Sequence, residues 1–311
     1  MSDVTSLILG TRGSPLALWQ TEQVKQALAV AFPELDVQVK IIHTQGDKIL
    51  DRPLADIGDK GLFTKELEVA LYAKEIDVAV HSLKDLPSTL PDGLGVLAIM
   101  ERHRPFDALV SSTGAALSDL PEGALVGTGS LRRKTQLQQL RPDLQFADLR
   151  GNIQTRLAKL DRGDYAAIIM AQAALERMAM GERMSQVFTA EDMLPAVGQG
   201  AIALEGRLED PAIAECVAVI NHAETALCVS AERAYLKTLG GGCEKPIAGF
   251  ATLTADRLFL RGRIASVDGS QIVADQLEIP MSGHDLQAAE AMGAALGERM
   301  LAMGGRALLD A

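Results

Sequence analysis

The order of its short apolar runs constrains this chain most. An apolar run, a turn carrying glycine and arginine, and a helical pattern recur in that order. Leu7–Gly10 leads into Thr11-Arg12-Gly13-Ser14-Pro15, and Ala124–Val126 into Thr128-Gly129-Ser130-Leu131-Arg132-Arg133. Leu144–Leu149 leads into Arg150-Gly151-Asn152-Ile153-Gln154-Thr155-Arg156. Strands alternating with helices predict βαβ units, mainly parallel sheets, and ligands at the C-terminal strand ends. Ser14 is a good N-cap and Pro15 a good first helical residue. Leu16, Trp19, Val24, Ala27, Leu28 and Ala31 give that helix an apolar face. Val37, Val39 and Ile41 alternate as in a strand, and Thr64–Ala73 reads as a helix. Ile76–Val80 reads as a buried strand, and Leu94–Met100, Ala108–Ser111, Ala166–Met170 and Ala201–Glu205 as further strands.

Two breaks interrupt the alternation: Glu101-Arg102-His103-Arg104-Pro105, and Leu194-Pro195-Ala196-Val197-Gly198-Gln199-Gly200. Both read as linkers and as hinges. Beyond them helices are expected over 210–238. Three β runs follow, at Ile247–Leu253, Arg257–Ala265 and Ser270–Ile279, with Asp268-Gly269 as the last hairpin turn. A closing helix is expected over 285–303. The expected fold is α/β, with two doubly wound lobes plus a small C-terminal α+β domain holding a three-stranded antiparallel sheet. Domain 1 is placed at 1–100 and 200–218, domain 2 at 105–194 and domain 3 at 222–311.

The chain has 311 residues and a formal net charge of −11, which argues against broad nucleic-acid binding. Any anion site must therefore come from local clusters of basic residues. Met1–Gly10 shows no basic leader pattern, and no apolar run approaches the ~18–20 residues of a membrane span. Cys216, Cys228 and Cys243 form no Cys-x-x-Cys pair, which argues against a metal site or a disulfide framework. A reduced, cytoplasmic chain is expected, monomeric and without membrane or nucleic-acid partners. Cys216 and Cys228 lie in helical patterns, where burial as small apolar residues is expected.

Cys243 differs. A helical pattern ending at Thr238 runs into Gly240-Gly241-Gly242, so Cys243 is expected at the tip of a glycine-rich loop. Such a thiol either reaches into a cleft or is an inert cysteine in a turn. Arg12, Arg132 and Arg150 each sit where a strand gives way to a helix start, whose free N–H groups favour anions. Arginine there recognises carboxylate or phosphate; otherwise these are solvated surface charges. His81-Ser82-Leu83-Lys84-Asp85-Leu86-Pro87 ends a strand and offers either a carboxylate for proton and cation chemistry or a capping aspartate.

Seven stretches in order closely resemble the porphobilinogen deaminase (hydroxymethylbilane synthase) family: Thr11–Gln20, Gly58-Asp59-Lys60-Gly61-Leu62-Phe63, His81–Pro87, Gly127–Arg133, Leu149–Arg156, Leu194–Gly200 and Gly241-Gly242-Cys243. The resemblance spans all three expected domains. It implies lobes like those of type II periplasmic binding proteins. It also implies a transferase of tetrapyrrole (haem, porphyrin) biosynthesis that joins four porphobilinogen molecules and releases hydroxymethylbilane. The implied cofactor is a dipyrromethane held by a thioether to Cys243. The implied catalytic residue is Asp85. Lys60, Ser82, Lys84, Asp85, Thr128, Ser130, Arg132, Arg133, Arg150, Gly151 and Arg156 would hold the cofactor. Arg12, Ser14, Gln20, Arg150, Arg156, Arg177 and Gln199 would face substrate. Asp56 stands where bacterial relatives often carry lysine, so that position is not carried over. Two other readings compete: a two-lobed solute-binding protein, and a thiol hydrolase using Cys243 and His81.

Overall fold

The computed structural model describes residues 4–48, 61–242, 245–281 and 283–310. The described chain divides into two compact units, changing over at His103/Arg104, Gly200/Ala201 and Ala226/Leu227. The first is built on a sheet ordered β2-β1-β3-β10-β4. β1 (Ser6–Thr11) runs parallel to β2 (Asp36–Ile41) and to β3 (Val78–Ser82). β10 (Ile202–Arg207) runs antiparallel to β3 and to β4 (Leu94–Ile99). Helix α1 (Pro15–Ala31) starts where the sequence predicts, with the Ser14 side chain accepting from the Ala17 N–H at 3.2 Å. Its Val24 and Leu28 join Leu7, Leu9, Val78, Val80 and Leu204 in one core. Helix α2 (Lys65–Tyr72) buries Leu67 and Leu71 against Ile76 and Ala79. β2 is a sheet edge, so Val39 and Ile41 stay 40% and 49% exposed although their alternation marks the strand correctly.

The second unit carries a sheet ordered β7-β6-β8-β5-β9. β6 (Leu125–Gly127) is parallel to β7 (Gln145–Ala147) and β8 (Ala167–Ala171). β5 (Asp107–Ser111) is antiparallel to β8 and to β9 (Gln186–Val187). Helices α3 (Leu131–Leu140), α4 (Ile153–Asp161) and α5 (Gln172–Arg177) follow β6, β7 and β8. The expectation of mainly parallel sheets is corrected here: each five-stranded sheet has two parallel and two antiparallel pairings. Helical crossovers within one sheet impose parallel neighbours. β10 and β5 enter from segments outside such crossovers, and no such rule sets their direction.

The same unit holds an antiparallel meander, β11 (Ile247–Thr254), β12 (Arg257–Ala265) and β13 (Ile272–Pro280). Leu258, Leu260 and Ile264 are fully buried in one core with Tyr235, Leu296 and Met300 from α7 (Ala223–Thr238) and α8 (Leu286–Met300). Burying such aliphatic side chains stabilises by about 1.5–3 kcal/mol each. The two helices touch at Gly293, where an added Cβ would lie 2.1 Å from the Ala231 carbonyl oxygen. Cys216, on α6 (Pro211–Ala218), and Cys228 are buried, as the sequence predicts. Among the described residues no single helix is long and apolar enough to cross a membrane. The pair α6 and α7 passes that test only jointly.

The segment Leu194–Gly200, expected as a linker, is bonded into the second unit along its length. Leu194 N–H donates to Gln136 at 2.9 Å, and Pro195 carbonyl accepts from Gly249 N–H at 3.2 Å. Gly198 N–H donates to Glu232 at 2.7 Å, and Gly200 carbonyl accepts from Arg177 at 2.7 Å. Proline and glycine content suggests an exposed connection, but these backbone groups find buried partners instead.

Candidate functional site

In the first unit, β1 and β3 are parallel neighbours, so their C-terminal ends come out side by side. Arg12 leaves the end of β1 with its guanidinium 4.2 Å from the Phe63 ring centre. Gln20, on the buried side of α1, donates from Nε2 to the Ser82 hydroxyl at 2.8 Å. That bond ties the start of α1 to the end of β3. A 3-10 turn, Leu83–Asp85, follows, with buried Leu83 as its plug. Lys84 is half-buried, and Asp85 is turned out to solvent with no hydrogen bond among the described residues. An exposed carboxylate on a turn clamped from behind is held in place and remains open to a ligand. His81, weighed as a base for a thiol, points the other way. It is buried, with Nε2 2.8 Å from Glu205 Oε2.

In the second unit three parallel strand ends converge in the same manner. Gly127 pairs with Ala147 and with Ile168, so the turns after β6, β7 and β8 share one edge. Thr128, Ser130, Arg132 and Arg133 follow β6 there, and Arg150, Gly151 and Arg156 follow β7, while Arg177 closes α5, the helix after β8. Ser130 caps α3, accepting from Arg133 N–H at 3.5 Å, and Thr128 Oγ1 accepts from Ser130 N–H at 3.2 Å. Asn152 caps α4, accepting from Thr155 N–H at 2.8 Å. Gly151 has φ +116°, and a Cβ there would stand 2.7 Å from Thr155 Cγ2, so only glycine closes this turn without strain. Arg156 Nε donates to the Gly151 carbonyl at 2.8 Å. Burial pushes the Arg177 guanidinium down to about 10.

Arg132 and Arg133 meet on a residue that the sequence reading missed. Asp107, fully buried at the start of β5, accepts from Arg132 Nη1 at 2.7 Å and from Arg133 Nε and Nη2 at 3.0 and 2.7 Å. Gln199 Nε2 donates to the same carboxylate at 3.0 Å. Burial works to raise the Asp107 pKa, but the charges of Arg132 and Arg133 outweigh it and hold the carboxyl well below its usual range. The available signal was an acid opening an apolar strand, Asp107-Ala108-Leu109-Val110. Its partners lie 25 and 26 residues on, beyond any local pattern.

The donors differ in how committed they are. Arg133 bonds Asp107 through two nitrogens and the Ile169 carbonyl through the third, at 3.0 Å. Arg132 uses only Nη1, on Asp107 and the Leu194 carbonyl, and its Nε and Nη2 make no hydrogen bond among the described residues. Arg150 Nη1 is buried and has no hydrogen-bond partner among the described residues. A buried guanidinium nitrogen without an acceptor is unfavourable, and an anionic oxygen is what completes it. This edge suits a ligand with several carboxylates. Lys60 and Cys243 lie outside the described residues.

Two family models match the chain. "Porphobilinogen deaminase, dipyromethane cofactor binding domain" matches residues 7–215, and "Porphobilinogen deaminase, C-terminal domain" matches residues 226–302. Among solved structures, the methionine-binding protein MetQ is similar at 12% identity and TM-score 0.44, over 68% of this chain and 90% of that one. The periplasmic VFT2 domain of Bordetella pertussis BvgS is similar at 16% identity and TM-score 0.40, over 70% and 86%. The probable amino-acid-binding protein YtmK of Bacillus subtilis is similar at 12% identity and TM-score 0.42, over 69% and 89%. With both models matched across nearly its whole length, this chain belongs to the porphobilinogen deaminase family, whose members are transferases.

Proposed function

We propose that this chain is a hydroxymethylbilane synthase: it joins four porphobilinogen molecules head to tail with loss of ammonia and releases the linear tetrapyrrole by hydrolysis. The observation that carries this reading is a pair of arginines on neighbouring strand-end turns: Arg150, whose buried Nη1 has no partner among the described residues, and Arg132, whose guanidinium is half open. In a chain of net charge −11, such donors call for a ligand rich in carboxylates. A dipyrromethane primer fits that donor set, and when bound it supplies a pyrrole carbon to which substrate units are joined. We assign its thioether anchor to Cys243.

The chain's own residues divide the work. Arg132 and Arg150, with Ser130, Thr128, Arg156 and Lys84, receive carboxylates as charge-assisted hydrogen bonds, each worth about 1.5–3 kcal/mol. Arg12, Ser14, Gln20, Arg177 and Gln199 receive substrate. Loss of an amine from porphobilinogen leaves a cationic pyrrole. Asp85, exposed and unbonded, offers its carboxylate to that cation and to the pyrrole N–H, and takes up the proton released when the new carbon–carbon bond forms.

The deciding experiment is the intact mass of the denatured protein, purified from cells that make porphobilinogen. The wild type should exceed its chain mass by one two-ring pyrrole unit, and Cys243→Ser should not. A bare chain in the wild type, together with no consumption of porphobilinogen, overturns the proposal. Asp85→Ala should keep its fold by circular dichroism while losing nearly all turnover.

A further inference from the structure

A second arginine pair lies away from the edges described above. Side chains two apart on a strand share a face, so Arg261 and Arg263 of β12 stand together. They wall a cavity of about 340 Å3 with Glu191, Leu194, Asp275 and Gln276. Both acids of the wall are already paired. Glu191 Oε1 accepts from Arg261 Nη1 at 2.7 Å, and Asp275 is bonded by Arg299. Arg263 has no such partner. Its Nη1 donates to Gln136 Oε1 at 2.8 Å, an oxygen that also accepts from Leu194 N–H at 2.9 Å. Its Nε and Nη2 make no hydrogen bond, and it forms no ion pair, among the described residues. Burial first, and then the charge of Arg261, push the Arg263 guanidinium below its usual value. A half-buried cation beside a second cation, held only by a neutral amide, is unfavourable until an anion completes it.

We propose that this cavity is an anion-binding site, taking a small carboxylate or a phosphate on the open Nε–Nη2 edge of Arg263 with Arg261 as the second charge. That edge presents two parallel N–H donors, the geometry that grips an oxyanion at two points. The bound anion would brace β12 against α3 and the Ala190–Leu194 segment. Leu194 also accepts from Arg132 through its carbonyl at 2.8 Å, so the brace reaches the support of that arginine.

The test is thermal unfolding of the purified full chain titrated with inorganic phosphate and, separately, with succinate, at ionic strength held constant with chloride. The wild-type midpoint should rise saturably, by about 3 °C, with at least one of them. Arg263→Gln should weaken the half-saturation at least tenfold. Arg263→Lys, which keeps the charge and loses the two-point edge, should weaken it severalfold. Should Arg263→Gln fail to fold, Arg261→Gln leaves the Gln136 bond intact and should weaken binding about three- to tenfold. Because other arginines also attract anions, a crystal soaked in selenate locates the response, with an anomalous peak at Arg263 in the wild type. The anion that saturates at lower concentration identifies the class. A saturable response to neither anion, half-saturation unchanged in these variants, or no selenate peak at Arg263 overturns the proposal.

Discussion

At the scale of single residues, Asp107 determines how two arginines are presented. One carboxylate takes Arg132, Arg133 and Gln199 together, which leaves Arg132 an open edge and Arg133 none. Asp107→Asn removes the charge from a buried cluster and leaves two guanidinium groups short of a counter-ion. Breaking such a pair costs about 3–5 kcal/mol, measurable as a lower urea midpoint. The loss should depend on pH with a definite sign. The folded carboxyl titrates below the ordinary value of 3.8, so its stabilisation is complete at neutral pH and declines only as pH falls below about 4. The gap between wild type and Asp107→Asn should therefore hold from pH 7 to 5 and narrow in more acid solution. A gap that widens on acidification would contradict the assignment. If Asp107 positions Arg132, the variant should also show a smaller fraction of pyrrole-loaded protein by mass, even where the fold persists. Asp107→Glu should recover loading in part.

At the scale of elements, each basic turn is a strand end, a cap and a helix start. Asn152→Ala removes the acceptor for Thr155 N–H and should cost about 1 kcal/mol. Gly151→Ala should cost more, about 1–3 kcal/mol, because it demands φ +116° and a contact at 2.7 Å from Thr155. Chemical denaturation of both variants should rank them in that order, and the reverse order would mean that the turn relaxes freely. The Ser14 cap was legible in the sequence, and the same chemistry recurs at two turns where no cap was expected. Ser14, Ser130 and Asn152 each precede a helical pattern, and each accepts from the N–H three residues on. Capping is local chemistry, so sequence reports it well. Strand direction is not local. Nothing in Ala201–Glu205 or Ala108–Ser111 says which neighbour each will meet, and both strands run antiparallel to both of their neighbours.

At the scale of the whole molecule, Glu232 is the residue to change. Fully buried on α7, it accepts from Gly198 N–H at 2.7 Å and from Ala251 N–H at 2.8 Å. It thereby fastens the Leu194–Gly200 segment and β11 to one helix. Glu232→Ala orphans two buried donors at about 1–3 kcal/mol each, so a total loss on the order of 2–6 kcal/mol is expected. Urea unfolding measures it, and a loss under about 1 kcal/mol would show that the segment is held by other bonds.

Local pattern in the chain was enough for the order of most strands and helices, the Ser14 cap, the three meander strands and the seven motifs that mark the family. All of these depend on neighbours in the chain or on residue identity alone. Long-range packing was needed to see that Asp107 serves both Arg132 and Arg133, that His81 faces Glu205 across 124 residues, and that most of Leu194–Gly200 is buried. The physical reason is common to all three. A buried charge or backbone group must find a partner, and which partner it finds is settled by packing between distant segments.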